Sequence, residues 1–222
     1  YPEHLYAKKL RAEILLARED LSGAEKQLED MEEASGSDPE YMLLQGKLHL
    51  LSGELVPAVG CFQDLIEDYP ELSLPYYLKG LALLQQGHIH LARKHFVRSL
   101  ARDPLSCEVT LALADLALYQ GDLDAGLEYA KRVSGREPAN SRPKMIEGIV
   151  HLVRGRHALA NALFQQAELL SGDHAPAQYF QAKAAIMAGK DSKALSLLQG
   201  LLKHNPDYAD AGLEYASLLL EK

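Results

Sequence analysis

The sequence predicts an all-α fold, a solenoid of about thirteen helices stacked as hairpins, and three observations carry the prediction. A unit of 34 residues recurs along the chain without insertion or deletion. The composition is 47% apolar, mostly Leu and Ala, with 7% aromatics and no Trp, which favours a helix-rich protein. The two cysteines, Cys61 and Cys107, cannot build a disulfide framework, so packing has to supply the stability. No apolar run approaches the about 20 residues that cross a bilayer, so no membrane insertion is expected. The chain starts with Tyr1 and shows no signal-peptide pattern. It reads as an excised piece that does not encode its compartment, cytoplasmic or bacterial periplasmic.

The repeat is visible column by column. Glu19, Gly53, Gly87, Gly121, Gly155 and Gly189 stand in one column. Five residues on are Ala24, Ala58, Ala92, Gly126, Ala160 and Ala194; seven residues before are Ala12, Gly46, Gly80, Ala114, Gly148 and Ala182. A larger apolar residue follows in most units: Leu28, Phe62, Phe96, Ala130, Phe164 and Leu198. Gly36, Pro70, Pro104, Pro138, Gly172 and Pro206 close the units. The repeats are 5–38, 39–72, 73–106, 107–140, 141–174 and 175–208, with a partial unit at 209–222.

Each element has a local reason. In 73–106 the apolar spacing from Tyr76 to Leu84 fits a helix, with Pro75 in its first turn, where a missing N–H costs little. Gly87 permits the left-handed residue that ends such a helix. A second helix is expected from about Ile89 to Ala101, stopped by Asp103-Pro104. Small Gly80 and Ala92 let the two backbones approach, and Phe96 fills the space beside them. One such hairpin cannot cover its own apolar faces, so it must stack on a neighbour.

These small–Gly–small–aromatic–Pro columns resemble the tetratricopeptide repeat (TPR) family, across essentially the whole chain. The resemblance implies a right-handed α-solenoid of helix-turn-helix repeats. Two departures stand out. The family's early Trp column holds Lys8, Met42, Tyr76, Thr110, Lys144 and Gln178, and the Leu column after it is largely polar, as Arg11, Gln45, Lys79, Glu147 and Gln181. Regular Ala- and Leu-rich arrays of this kind look more like bacterial TPR proteins, including those of polysaccharide-export and exosortase systems.

Charge narrows the function classes. The net −8 is uneven: residues 1–72 carry 6 basic and 16 acidic side chains, net −10, residues 73–174 carry 12 and 10, and residues 175–222 carry 5 and 5. An acidic chain repels phosphate backbones, so no nucleic acid is expected as partner. The run Glu29, Asp30, Glu32, Glu33, Asp38 and Glu40 reads as a solvated helix end, with an acidic docking patch as its alternative. Among nine histidines, His88 and His90 sit two apart, and His49 and His151 share a column. Neither pair offers the three or four convergent ligands of a zinc site. Cys61 and Cys107 read as buried small hydrophobes. No phosphate loop, GxSxG elbow or HExxH occurs, so neither a cofactor nor an active site is expected, and the reading is non-enzymatic.

By the resemblance, first helices line a concave groove. One groove column is Lys9, Leu43, Tyr77, Leu111, Met145, Tyr179 and Leu213; the next is Glu13, Lys47, Leu81, Asp115, Ile149, Lys183 and Ser217. A third, Leu16, Leu50, Leu84, Leu118, Leu152, Ile186 and Leu220, is aliphatic throughout. Tyr119 and Val153 widen the stripe, Arg142 lies at the mouth of repeat 5, and Lys183 lies inside repeat 6. The expected function is a scaffold that binds a partner peptide or helix through Tyr77, Leu81, Leu111, Asp115, Tyr119, Arg142, Met145, Ile149, Tyr179 and Lys183. An apolar middle with an acidic end would suit this surface. Two alternatives stay open: the substrate-recruiting arm of a larger enzyme, or a self-assembling array in a bacterial envelope or secretion complex. In the last helix, Leu213, Tyr215, Leu218, Leu219 and Leu220 spread over more than one stripe, which predicts end-to-end self-association there.

Overall fold

A computed structural model describes residues 2–31 and 38–220. Among the described residues there are thirteen α-helices and no strand. Contacts divide the chain into two units, Tyr1–Val109 and Thr110–Lys222. The first holds α1 (Pro2–Ala17), α2 (Leu21–Glu29), α3 (Pro39–Leu51), α4 (Leu55–Asp68), α5 (Ser73–Gln85) and α6 (Ile89–Arg102). Helix α7 (Cys107–Tyr119) starts at the division. The second unit continues with α8 (Leu123–Arg136), α9 (Arg142–Val153), α10 (His157–Leu170), α11 (Ala175–Met187), α12 (Asp191–His204) and α13 (Ala209–Leu220). Odd-numbered helices are the first helices of the repeats, even-numbered ones the second. Repeat 3 has the expected hairpin, its second helix ending one residue beyond Ala101.

The turns explain the period. Gly53, Gly87, Gly121, Gly155 and Gly189 all have φ between 67° and 80°, where a Cβ is costly. The residue after each donates its N–H five residues back, as His88 to Leu83 at 2.8 Å and Asp122 to Ala117 at 2.8 Å. This closes the helix end with a left-handed cap. Glu19, the non-glycine of that column, takes φ 59° and keeps the same bond, Asp20 to Leu15 at 3.0 Å. Asp20 and Asp122 then cap α2 and α8 by accepting from Gly23 and Ala125.

Inside each hairpin, one column sets how closely the helices approach. A Cβ on Gly46, Gly80 or Gly148 would meet the ring of Phe62, Phe96 or Phe164 at 2.4–2.6 Å. Where the same position is Ala12, Ala114 or Ala182, the facing residue is Leu28, Ala130 or Leu198. Glycine therefore goes with phenylalanine, and alanine with something smaller. All three rings are fully buried. Between neighbouring hairpins the core continues: Leu44 and Leu48 of α3 join Ala12, Leu16 and Leu28, and Leu152 joins Phe164 and Ala184.

Three members of the polar column that departs from the TPR pattern meet polar partners on the preceding second helix. Lys79 donates to Gln63, and Gln181 donates to Glu168 at 2.7 Å. Ser134 donates to Glu147 at 3.3 Å. Hydrogen bonds replace a leucine contact there, so the stacking stays satisfied.

Three expectations need correction. Cys61 and Cys107 are half-buried, not buried; both sit on helix faces that reach the surface. Leu218, counted with the sticky stripe of the last helix, is 6% exposed and packs with Ala182, Leu198 and Leu201. The acidic run is not one solvated patch: Asp38 caps α3 through the N–H groups of Glu40 and Tyr41 and also accepts from Lys9 at 2.7 Å. Its members Glu32 and Glu33, the closing Gly36 of repeat 1 and the last two residues of the chain lie outside the described residues.

Candidate partner-binding face

Helical periodicity decides what the first helices of unit 2 present. In α11, Ala182 and Ala185 pack with Ala194, Leu198 and Leu201 of α12, and in α9 Ile146 and Val150 are buried. The final turn cannot be covered in the same way, because the chain leaves it through the glycine turn. One residue per repeat is therefore exposed there: Tyr119 at 75%, Val153 at 59% and Met187 at 50%. Tyr119 and Val153 follow from the sequence columns. Met187 does not feature in that reading, although it stands in the same column 34 residues beyond Val153.

The other expected residues divide by burial. Met145 and Ile149 are half-buried and pack on the Phe164–Ala184 cluster. Leu111, at 2% exposure, is core. Tyr179 is also buried, with ring centroids 5.5 Å from Phe180 and 5.4 Å from Tyr208. In unit 1, Tyr77 and Leu81 are half-buried beside Phe62 and Leu65, and Tyr77 tilts against Phe96 at 5.8 Å. The aliphatic third column splits: Leu152 is buried, whereas Leu118 and Ile186 are half-buried.

The charges on this face come matched. Arg142, at the start of α9, donates to the carboxylate of Asp115 on α7. Burial pushes the Asp115 carboxyl above its usual range, and Arg142 pulls the other way. Lys183 lies 3.3 Å from Glu214 and 5.5 Å from the centre of the Tyr179 ring. Burial draws its pKa down, but Tyr179 and Glu214 outweigh that and leave it raised. Neither pairing was evident from sequence, since the partners lie 27 and 31 residues apart, nearly one repeat. A cavity of about 180 Å³ opens beside Arg142, between Met145, Ala167, Ser171, Pro176 and Ala177.

Among the described residues no group of three or more His, Cys, Asp or Glu side chains could hold a metal ion. His49 pairs with Glu54 at 2.6 Å, whereas His151 in the same column keeps a buried Nδ1 without a hydrogen-bond partner. Burial, then Arg156 and Arg154, lower the His151 pKa. No helix among the described residues is long and apolar enough to cross a membrane.

Comparison with known proteins fits this geometry. Models of the tetratricopeptide repeat match residues 40–71, 77–133, 111–176 and 145–209. The chain belongs to the tetratricopeptide repeat family, and its fold is an all-α TPR solenoid. It is 31% identical over 111 residues to BBSome complex member BBS4 of Bos taurus, covering 50% of this chain and 21% of that protein. It is 26% identical over 184 residues to the transcriptional regulator HilA of Salmonella typhimurium, covering 77% and 33%. The chain thus spans a third or less of the curated relatives it matches. Among solved structures, the type IV pilus biogenesis factor PilW superposes with a TM-score of 0.81 at 16% identity, over 97% of this chain and 98% of that one. PilF of Pseudomonas aeruginosa gives 0.81 at 16% identity, over 100% and 99%. At such identities these likenesses show the fold alone; the TPR fold is in general that of a protein–protein interaction scaffold.

Proposed function

We propose that this chain is a non-enzymatic scaffold that holds a protein segment, extended or helical, against the first-helix face of unit 2. The observation that carries this is the exposed apolar series Tyr119, Val153 and Met187, one per repeat, above half-buried Met145 and Ile149. Tyrosine supplies contact area and a polar tip at low entropy cost, which suits it to an anchor. Arg142 and Lys183 are already engaged by Asp115 and Glu214, so binding is led by apolar contact and the charges fix register. Leu111 and Tyr179 act beneath the surface, as the packing that holds it.

The test is affinity capture from source-cell extract, followed by titration of the purified partner against wild-type chain and Tyr119→Ala. Truncating a central aromatic anchor should cost about 1–3 kcal/mol of binding, with little change in melting temperature because Tyr119 is exposed. Normal binding by Tyr119→Ala, combined with lost binding by Leu169→Glu on the second helix α10, would sink the assignment.

A second reading, self-assembly, is favoured by one observation. Leu213, Leu219 and Leu220 of α13 are exposed at 71%, 51% and 88%. Concentration-dependent light scattering that vanishes in Leu219→Glu/Leu220→Glu supports it. Equal monomers at all concentrations refute it.

A further inference from the structure

A cavity of about 190 Å³ lies away from the apolar series, among α10, α11 and α12 of unit 2. His157, Ala158 and Asn161 of α10 line one side, and Lys190 and Lys193 at the start of α12 line the other. Three alanines of α11 complete the lining. His157 and Asn161 are four residues apart, so they share one face of α10, and both are half-buried. Lys190 and Lys193 are exposed. No carboxylate lines the cavity; Asp191, next to Lys190 in sequence, is exposed and outside the lining. Arg154 and Lys183, in the same two repeats, are held by Asp124 and Glu214. Neither Lys190 nor Lys193 has such a partner among the described residues.

The repeat shows that this charge is a local departure. Asp20 and Asp122 precede α2 and α8 and cap them. The same column holds Arg156 before α10 and Lys190 before α12, and neither helix has a side-chain cap. A cation at a helix start opposes the helix dipole, so capping does not account for these residues. The acidity of the chain is no obstacle to an anion here. It lies in residues 1–72, net −10, whereas residues 73–174 carry 12 basic and 10 acidic side chains.

The lining selects the kind of anion. Two ammonium groups balance a dianion, whereas a single carboxylate would leave one of them unmatched. The imidazole and the amide add N–H donors for further acceptor oxygens. Lysine recognises phosphate as a point charge, and the bidentate fork that favours a carboxylate needs arginine. The volume is below the about 300–1,000 Å³ typical of whole small-molecule ligands. The alanine wall leaves room for a short carbon stem rather than a nucleoside. We propose that this cavity binds a phosphomonoester group. The site shares no residue with Tyr119, Val153 or Met187, so it can fail without the partner-binding reading, and that reading without it.

O-phosphoserine titrated into the full chain at constant ionic strength tests the proposal, followed by amide 15N–1H spectra. Amides of 157–161 and 188–193 should shift together and saturate by about 10 mM. Serine should not bind, and acetate should bind at least about tenfold more weakly. Lys190→Gln and Lys193→Gln should each weaken phosphoserine about fivefold or more. Ala158→Leu fills the cavity from an exposed position without changing charge, and should abolish binding at an unchanged melting temperature. Lys203→Gln, about 15 Å along α12 from Lys193, removes the same charge elsewhere and should bind normally. A Gly/Ser peptide with one phosphoserine separates the sources of the group. Binding as tight as the free ester assigns the site to a modified side chain, and binding of the free ester alone assigns it to a small molecule. No saturation by about 10 mM, acetate binding as tightly, normal binding by the cavity variants, or equal weakening by Lys203→Gln would each overturn the proposal.

Discussion

Glu19 holds a left-handed φ of 59° in a column otherwise filled by glycine, and an L side chain there costs roughly 1–2 kcal/mol. Glu19→Gly should stabilise the chain by on the order of 0.5–1 kcal/mol, part of the relief being lost to the greater freedom of unfolded glycine. A calorimetric melting temperature that falls or stays level would show that the turn is not strained. The Gly–Phe pairs make the opposite prediction. Gly148→Ala drives a Cβ to 2.4 Å from the Phe164 ring, and overpacking of this kind typically costs about 1–3 kcal/mol. Because Ala182 faces Leu198 without conflict, Phe164→Leu should cost less in the Gly148→Ala background than alone. Denaturant unfolding of the two single variants and the double variant measures that coupling, and strict additivity would refute it. The columns themselves were legible in the sequence. Their mutual dependence emerges once the ring is seen lying on the glycine.

At the scale of the helix, amphipathic spacing identified every element but misjudged which side chains it covers. Leu218, Leu219 and Leu220 look alike as a sequence run, yet only Leu218 turns toward Leu198 and Leu201. The same applies to Tyr179, an interface residue by type and a core residue by position, because Phe180 and Tyr208 close over it. Helix α6 gives the clearest pH prediction. His95 is 9% exposed, lies 6.1 Å from the Tyr76 ring and keeps a buried Nδ1 without a partner. Burial, then Lys79 of α5 and Arg98 and Lys94 of α6, lower its pKa to about 4. An unfolded histidine takes up its proton near pH 6.5, so below that the unfolded chain binds more protons. Stability should therefore be level above pH 6.5 and fall as the pH drops toward 4, by at most about 3 kcal/mol from this group. Unfolding free energies at pH 7 and 4.5 should differ more in wild type than in His95→Gln. An equal difference would mean that His95 is hydrated and titrates freely in the folded chain.

At the scale of the whole chain, the 34-residue period was enough to give the fold, because each hairpin must stack on a neighbour and has no other way to bury its faces. The candidate face was less legible. Periodicity says which column points outward, but the pairs Arg142–Asp115 and Lys183–Glu214 bridge successive repeats, and adjacency across repeats depends on their stacking. The same nearest-neighbour logic predicts how the chain comes apart. The buried clusters link adjacent hairpins: α1 and α2 to α3, α3 and α4 to α5, α9 and α10 to α11. Stability in such an array is a sum of local and neighbour contributions, so it is not uniform along the chain. Gly80→Ala, which presses a Cβ into the Phe96 ring at 2.5 Å, should accordingly loosen repeat 3 and its neighbours first. In hydrogen exchange under native conditions, amides of α5 and α6 should lose protection most and those of α4 less. Amides of α11 and α12 should keep wild-type rates. Uniform loss of protection from α1 to α13 would instead mean that the whole chain unfolds as one cooperative unit, and the nearest-neighbour account of its stability would be wrong.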